Sequence, residues 1–380
     1  MNLFSRRNAL ILPLGLAGLG AGCASPTDRM GVPADPSGRA DPEMKGLLES
    51  FVGLGPRPIE TLTPAEARRQ PNIANAVQAR TIALGRVPTM RPMERVEEIT
   101  MSIGGRSAMG RLYSPQPASA GPLPVVLYFH GGGWVIANPD VYDSSARAIA
   151  AETGAIVIAV RYRQGPEVRF PGAHEDAAIA YSWLAVNAAT IGGDPTRLAV
   201  AGESAGGNLA INAAIFARDS RLTMPRAIVA VYPVGGTDTE TPSYNSFANA
   251  RPLNKPMVLW FVQNYTNGPQ DLQDPRLDIY RRANLRGLPR TILVNAEIDP
   301  LADDGTRLAD ALRAAGVSVN ARVYPGVTHE FFGADAVLTK AKDAQAFVGA
   351  ELKAAFAGAA PMARPAMRPV RPRPRPQPRT

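Results

Sequence analysis

From Arg95 onward the chain alternates short apolar runs with longer stretches that have no helix breaker. Residues 96–103 and 111–113 alternate apolar and polar positions, with Gly104-Gly105 between them, which predicts two antiparallel strands and a turn. Residues 124–129, 155–160, 198–201, 227–232 and 291–295 are compact apolar runs, as expected of buried strands, and 317–324 reads as the last strand. Helical stretches lie between them, at 144–153, from Pro171 through Trp183, and at 208–218. Strand alternating with helix predicts a mostly parallel sheet with helices on both faces. Two segments break the alternation. In residues 41–54, Met44, Leu47, Leu48 and Phe51 recur at helical spacing behind Asp41-Pro42, and Thr63-Pro64-Ala65-Glu66 starts a second helix with a capping box. These helices precede any strand and are expected to form a cap from about 41–90, joined by a second cap segment at 235–288, rich in Pro, Asn, Tyr and Trp.

One turn organises the rest. Gly202-Glu203-Ser204-Ala205-Gly206 lies between the apolar run ending at Ala201 and the helix beginning near Asn208. Gly-x-Ser-x-Gly in a strand–turn–helix context is the nucleophile elbow of the α/β-hydrolases: the turn leaves no room for side chains at the glycines and lifts the serine hydroxyl over the sheet edge. The plainer reading is a glycine turn with an incidental serine.

A serine nucleophile needs a base, an acid to orient that base, and donors for the oxyanion. The chain has three histidines. His329 follows the last strand and is the expected base. His174, at a helix start, is expected to cap or pack, and His130 to pin the loop that follows it. Asp299, in the loop after the 291–295 strand, is the expected acid, with Glu297 as the substitute; Asp303 and Asp304 read as partners of the next helix's N-terminal dipole. Oxyanion donors are expected from the backbone of Gly131–Gly133 and from Ala205 after the serine. The order Ser204, Asp299, His329 is that of an α/β-hydrolase. No metal-ligand spacing and no phosphate or dinucleotide fingerprint appear, so no cofactor is expected.

Charge alters little of this. The formal net charge is +8, but residues 1–23 carry two Arg and no acid, and the last twenty carry six Arg and no acid, which leaves residues 24–360 neutral. That excludes a basic nucleic-acid face on the folded body. Residues 1–24 read as an export signal, with Arg6-Arg7 before an apolar run too short to span a bilayer. Ser5-Arg6-Arg7-Asn8-Ala9-Leu10 resembles a twin-arginine motif. The chain's single cysteine, Cys23, closes that run as a lipobox would, although Gly20 stands where Leu is usual. The expectation is an exported protein, periplasmic or attached to the envelope membrane through Cys23, with cleavage after Ala24 as the alternative. Residues 25–40 read as a linker. Residues 357–380, with Arg-Pro alternation, read as a disordered tail or an electrostatic tether.

His130-Gly131-Gly132-Gly133-Trp134, Gly202-Glu203-Ser204-Ala205-Gly206-Gly207-Asn208, Asp299-Pro300-Leu301 and His329-Glu330-Phe331 together resemble the bacterial hormone-sensitive-lipase-like carboxylesterases. The resemblance covers roughly residues 41–356 and extends to Thr63-Pro64-Ala65-Glu66-Ala67-Arg68 and Tyr162-Arg163-x-x-Pro166-Glu167. It implies an α/β-hydrolase fold with an eight-stranded sheet and a helical cap, and hydrolysis of short-acyl esters. It also implies that Gly132 and Gly133 are the oxyanion donors and that Trp134 meets the substrate. A homodimer is compatible with it. Glu203 stands where many members have Asp, Gly165 where Ala is usual and Val168 where His is usual, which points to altered contacts beside the nucleophile and in the cap. The other readings are a binding-only protein on this scaffold, against which the presence of His329 argues, and a lactonase or amidase on the same residues.

Overall fold

A computed structural model describes residues 33–116 and 121–358. The export signal with Cys23, the start of the linker and nearly all of the Arg-Pro tail lie outside the described residues.

The strands are β1 (Arg95–Ile103), β2 (Arg106–Ser114), β3 (Leu123–Phe129), β4 (Ile156–Arg161), β5 (Gly193–Glu203), β6 (Ala227–Val231), β7 (Arg290–Ile298) and β8 (Val319–Thr328). They form one sheet in the order β1-β2-β4-β3-β5-β6-β7-β8. Pairing is antiparallel at β1–β2 and β2–β4 and parallel elsewhere. Helices follow in the order α1 (Pro42–Gly53), α2 (Pro64–Ala67), α3 (Ile73–Ala83), α4 (Asp143–Thr153), α5 (Gly172–Asn187), α6 (Ala205–Asp219), α7 (Pro242–Ser246), α8 (Lys255–Tyr265), α9 (Ile279–Arg282), α10 (Ala302–Ala314) and α11 (Thr339–Ala357).

Successive side chains of a strand point to opposite faces, and the core divides accordingly. Leu127, Phe129, Ile158 and Val160 pack with residues of α5, α6 and α10. Val126, Tyr128, Val157 and Ala159 pack with α4 and α11 on the other face. Because both faces are covered, the central strands are apolar throughout, which is why the compact runs marked them. This is the α/β-hydrolase arrangement expected from the sequence.

Of the two pre-strand helices, the first forms as expected behind Asp41, and the second is short. Thr63 does cap α2, with the reciprocal Glu66 bond, but α2 has only four residues, and a separate helix, α3, starts after Pro71 with Asn72 as its own cap. The helix α1 serves two purposes. Met44, Leu47 and Leu48 are buried in the core with Phe331 and α11, while Phe51 lines the cavity over the elbow. The second segment, 235–288, contributes α7, α8 and α9. Trp260 of α8 donates from Nε1 to the Leu62 carbonyl at 3.2 Å, so the two cap segments are joined directly.

Candidate active site

The elbow is held by contacts that only glycine permits. A Cβ on Gly202 would lie 2.1 Å from the Gly206 carbonyl oxygen, and one on Gly206 would lie 2.0 Å from that of Phe129. Ser204 itself adopts φ 56° and ψ −121°, a conformation uncommon outside glycine. Its amide donates to Val231 of β6 at 2.9 Å, which fixes the turn to the neighbouring strand.

Topology brings Asp299 and His329 together. Ile298 of β7 pairs with Thr328 of β8, so the next residue on each strand, Asp299 and His329, emerges side by side. Asp299 Oδ2 lies 2.7 Å from His329 Nδ1, and Asp299 Oδ1 accepts from the Leu301 amide at 2.8 Å. Both residues are buried. Burial alone would lower the His329 pKa, but the Asp299 carboxylate and its hydrogen bond outweigh it and raise it. The bond to an acceptor at Nδ1 leaves Nε2 as the atom able to take a proton from elsewhere. Glu297 is engaged otherwise: it pairs with Arg39 and accepts from the Gly326 amide at 2.7 Å.

The other histidines take the structural roles expected of them. His130 Nδ1 meets the Gly131 carbonyl at 2.7 Å, and its ring stacks on Tyr162. His174 lies between the Tyr265 hydroxyl and Asn208 Oδ1, each at 3.0 Å. Burial pushes both imidazoles down to about 4, so both are neutral near pH 7.

The loop after β3 is folded by its glycines. Gly132 and Gly133 have φ of 101° and 58°, and the Gly132 carbonyl accepts from the Val135 and Ile136 amides at 3.0 and 2.9 Å. The amides of Gly132 and Gly133 donate to no protein acceptor among the described residues. Ala205 opens α6, whose first amides have no partner inside the helix. Ser204, His329, Gly132 and Gly133 line one cavity of about 460 Å³ beneath the cap. Such a cavity offers a hydroxyl, an imidazole held by a carboxylate, and free amides, a set suited to acyl transfer.

Residues 126–333 match the family described as having the alpha/beta hydrolase fold. The carboxylesterase NlhH of Mycobacterium tuberculosis is 37% identical over 323 residues, covering 83% of this chain and 96% of that protein. The ethyl acetate hydrolase of Pseudomonas putida is 38% identical over 243 residues, covering 63% and 76%. Among solved structures, a thermostable esterase from Pseudomonas putida aligns with a TM-score of 0.76 at 32% identity, over 84% of this chain and 98% of that one. The chain belongs to the hormone-sensitive-lipase-like carboxylesterases. It is a carboxylic ester hydrolase, and the binding-only reading is set aside.

In this carboxylesterase the family motifs touch one another. Arg68, at the end of α2, binds both carboxylate oxygens of Glu167 at 2.7 Å and the carbonyls of Val135 and Gly165 at 2.9 and 2.8 Å. One arginine thereby ties the cap to the glycine loop. The departure at Gly165 has a steric basis, since a Cβ there would lie 2.6 Å from the Asn264 carbonyl oxygen of α8. Trp134 stacks on Tyr265 at 4.9 Å and lines a small cavity of about 50 Å³ that also touches Ser204, Tyr244 and Phe261.

Four features of the enzyme's site are not legible in the sequence. Glu203 is buried and accepts from the hydroxyls of Tyr128 and Tyr232; Tyr232 in turn packs on His329 at 4.4 Å between ring centres. Glu330 is half-buried next to His329 and accepts from the Tyr142 hydroxyl at 3.1 Å. Burial raises the pKa of both carboxyls. Phe261 presses on Gly133, whose added Cβ would meet its ring at 2.2 Å. Asp304 is more than a dipole partner: it is fully buried, and its Oδ2 accepts from the Gly235 and Gly236 amides at 3.0 and 3.2 Å. No cluster of three metal-ligating side chains occurs among the described residues.

Proposed function

We propose that the enzyme hydrolyses short-acyl esters through Ser204, His329 and Asp299, with the amides of Gly132, Gly133 and Ala205 as the oxyanion hole. Ser204 Oγ attacks the ester carbonyl carbon as His329 Nε2 takes its proton. The tetrahedral oxyanion is stabilised by the three amides, and His329 returns the proton to the leaving alkoxide. Water then repeats the sequence on the acyl-enzyme and releases the carboxylic acid. The observation that carries this reading is the buried 2.7 Å contact between Asp299 and His329, opening on the cavity that holds Ser204 and the glycine loop.

The short-acyl part rests on the small cavity beside Ser204. Trp134 and Phe261 there leave little room, whereas the larger space under the cap suits the alcohol portion. The relatives named ethyl acetate hydrolase and, in Salmonella paratyphi A, acetyl esterase support the short-acyl reading. The export reading of residues 1–24, with attachment through Cys23, remains part of the proposal on the sequence pattern alone.

The test is the Ser204→Ala variant assayed on a p-nitrophenyl acyl series from acetate upward. Turnover should vanish in the variant, and the parent should prefer the shortest chains. Retained turnover would remove Ser204 from the mechanism. Rising kcat/KM with chain length would refute the assignment of the small cavity to the acyl group.

A further inference from the structure

A second cavity, about 570 Å³, adjoins the one that holds Ser204. It is walled by α3, by the residues leading into α4, and by the loop 330–336. It shares Ile73, Val141 and Glu330 with the cavity that contains Ser204. Only Glu330 among these three has a polar side chain, so it is the polar element of the wall between the two spaces.

The second cavity is polar at its inner end. Glu203 and Glu330 line it, and so does Ser145, which is 1% exposed. The Ser145 Oγ lies near Glu203 and Tyr128 without a well-formed hydrogen bond to either. A polar space of this size with incompletely satisfied buried groups holds water. Three arginines also face it, but each is already spoken for: Arg91 by Glu152 and Asp335, Arg111 by Glu98 and Asp140, and Arg147 by Asp143. The pairing leaves none of the three free to hold an anionic ligand there.

Glu330 is built to face this junction. It has φ 64°, a left-handed conformation that a non-glycine residue keeps only when its surroundings hold it. Tyr142 fixes one carboxylate oxygen by donating to Oε1, and Oε2 has no protein donor among the described residues.

We propose that Glu330 positions the hydrolytic water for the second half of the reaction, and that this water enters from the polar cavity beyond Glu330 rather than through the substrate opening. The inference rests on the Ser204–His329–Asp299 reading above. An attacking water must give one hydrogen to His329 Nε2 while its lone pair faces the acyl carbonyl carbon. Its second hydrogen needs an acceptor, and Glu330 Oε2 supplies one. As the carbon–oxygen bond forms, the proton passes to Nε2. The tetrahedral intermediate then collapses, the bond to Ser204 Oγ breaks, and Oγ takes the proton back. The ester substrate reaches Ser204 from the cap side, so water and leaving alcohol need not share a path.

The experiment separates the two half-reactions. In Glu330→Gln, Tyr142 retains an oxygen acceptor and the amide NH₂ faces the junction, so an acceptor becomes a donor with little change in shape. Stopped-flow hydrolysis of p-nitrophenyl acetate should then show a burst of nitrophenol, with acylation within about twofold of the parent and deacylation slowed about 10- to 100-fold. His329 serves both halves, so an equal loss in acylation and deacylation would mean that Glu330 acts only through the imidazole or the fold, and would overturn the proposal. Unchanged deacylation would overturn it as well. Ala74→Phe, which narrows the second cavity from α3, should slow deacylation alone, and a normal rate there would refute the entry route. If the parent enzyme forms no acyl-enzyme at all, the fault lies with the Ser204 reading rather than with Glu330.

Discussion

Replacing Asp304 by asparagine should change how the stability of the fold depends on pH. Asp304 is fully buried; Oδ2 holds the amides at the start of the second cap segment, and Oδ1 has no partner among the described residues. Burial pushes its carboxyl up to about 8, more than the two amide bonds lower it, and neighbouring Asp299 adds to the rise. In an unfolded chain the same group titrates near ~3.9. The folded state therefore holds the proton more tightly. The stability from this group is complete below about pH 4 and is lost as pH rises to about 8, after which the loss is constant. At about 1.4 kcal/mol per unit, the cost between pH 5 and 8 is roughly 4 kcal/mol. In Asp304→Asn the new side chain would keep an oxygen for the two amides and would not titrate. Urea unfolding at pH 5, 6, 7 and 8 should show the variant gaining on the parent steadily across the series, by several kcal/mol at the top, with no change in m-value. Parallel stability curves would refute the buried, protonated carboxyl, and with it the reasoning that desolvation outweighs the two amide bonds.

Two further outcomes follow from the site. Asp299→Asn should lower kcat by about 10⁴-fold through loss of the correct tautomer. It should also move the acid limb of kcat/KM to lower pH, because removing the carboxylate leaves burial as the dominant influence on His329; an unmoved limb would refute the coupling. Gly133→Ala forces a left-handed φ on alanine and drives its Cβ into the Phe261 ring, at a cost of about 2–4 kcal/mol. Adding Phe261→Ala should recover the steric part but not the conformational part in thermal melts, whereas strict additivity of the two losses would deny the contact.

The chemistry is more legible in the sequence than the cap. Ser204, Asp299 and His329 stand out because each sits just past a strand, strongly apolar for the first two and half-polar for β8, and a parallel sheet delivers all such ends to one edge. The alternative acid, Glu297, lies two residues earlier, on β7 itself, where it turns to Arg39. The helix α11 is not marked by its pattern: its residues are mostly small or polar, and its large buried side chains, Phe347, Val348, Leu352 and Phe356, are too sparse to stand out without the sheet they cover. The capping box at Thr63 is a true start signal but carries no information about length, which Pro71 limits. Glu203 and Asp304 are invisible as buried carboxyls, and Glu330 as a half-buried one, because nothing local distinguishes them from surface acids. Their partners, Tyr128, Tyr142 and the Gly235 amide, are distant in sequence and meet them only when the fold closes.

The bond from Trp260 to the Leu62 carbonyl bears on any effort to retarget this enzyme. It makes the roof over Ser204 a single spliced unit whose two halves come from well-separated parts of the chain. A library that randomises α8 alone would be sampled against a fixed N-terminal half, and many of its members would fail by losing the splice rather than by rejecting the new ester. Exchange of both segments together, as a matched pair between relatives, should carry ester preference with it more cleanly than any set of point changes on one side.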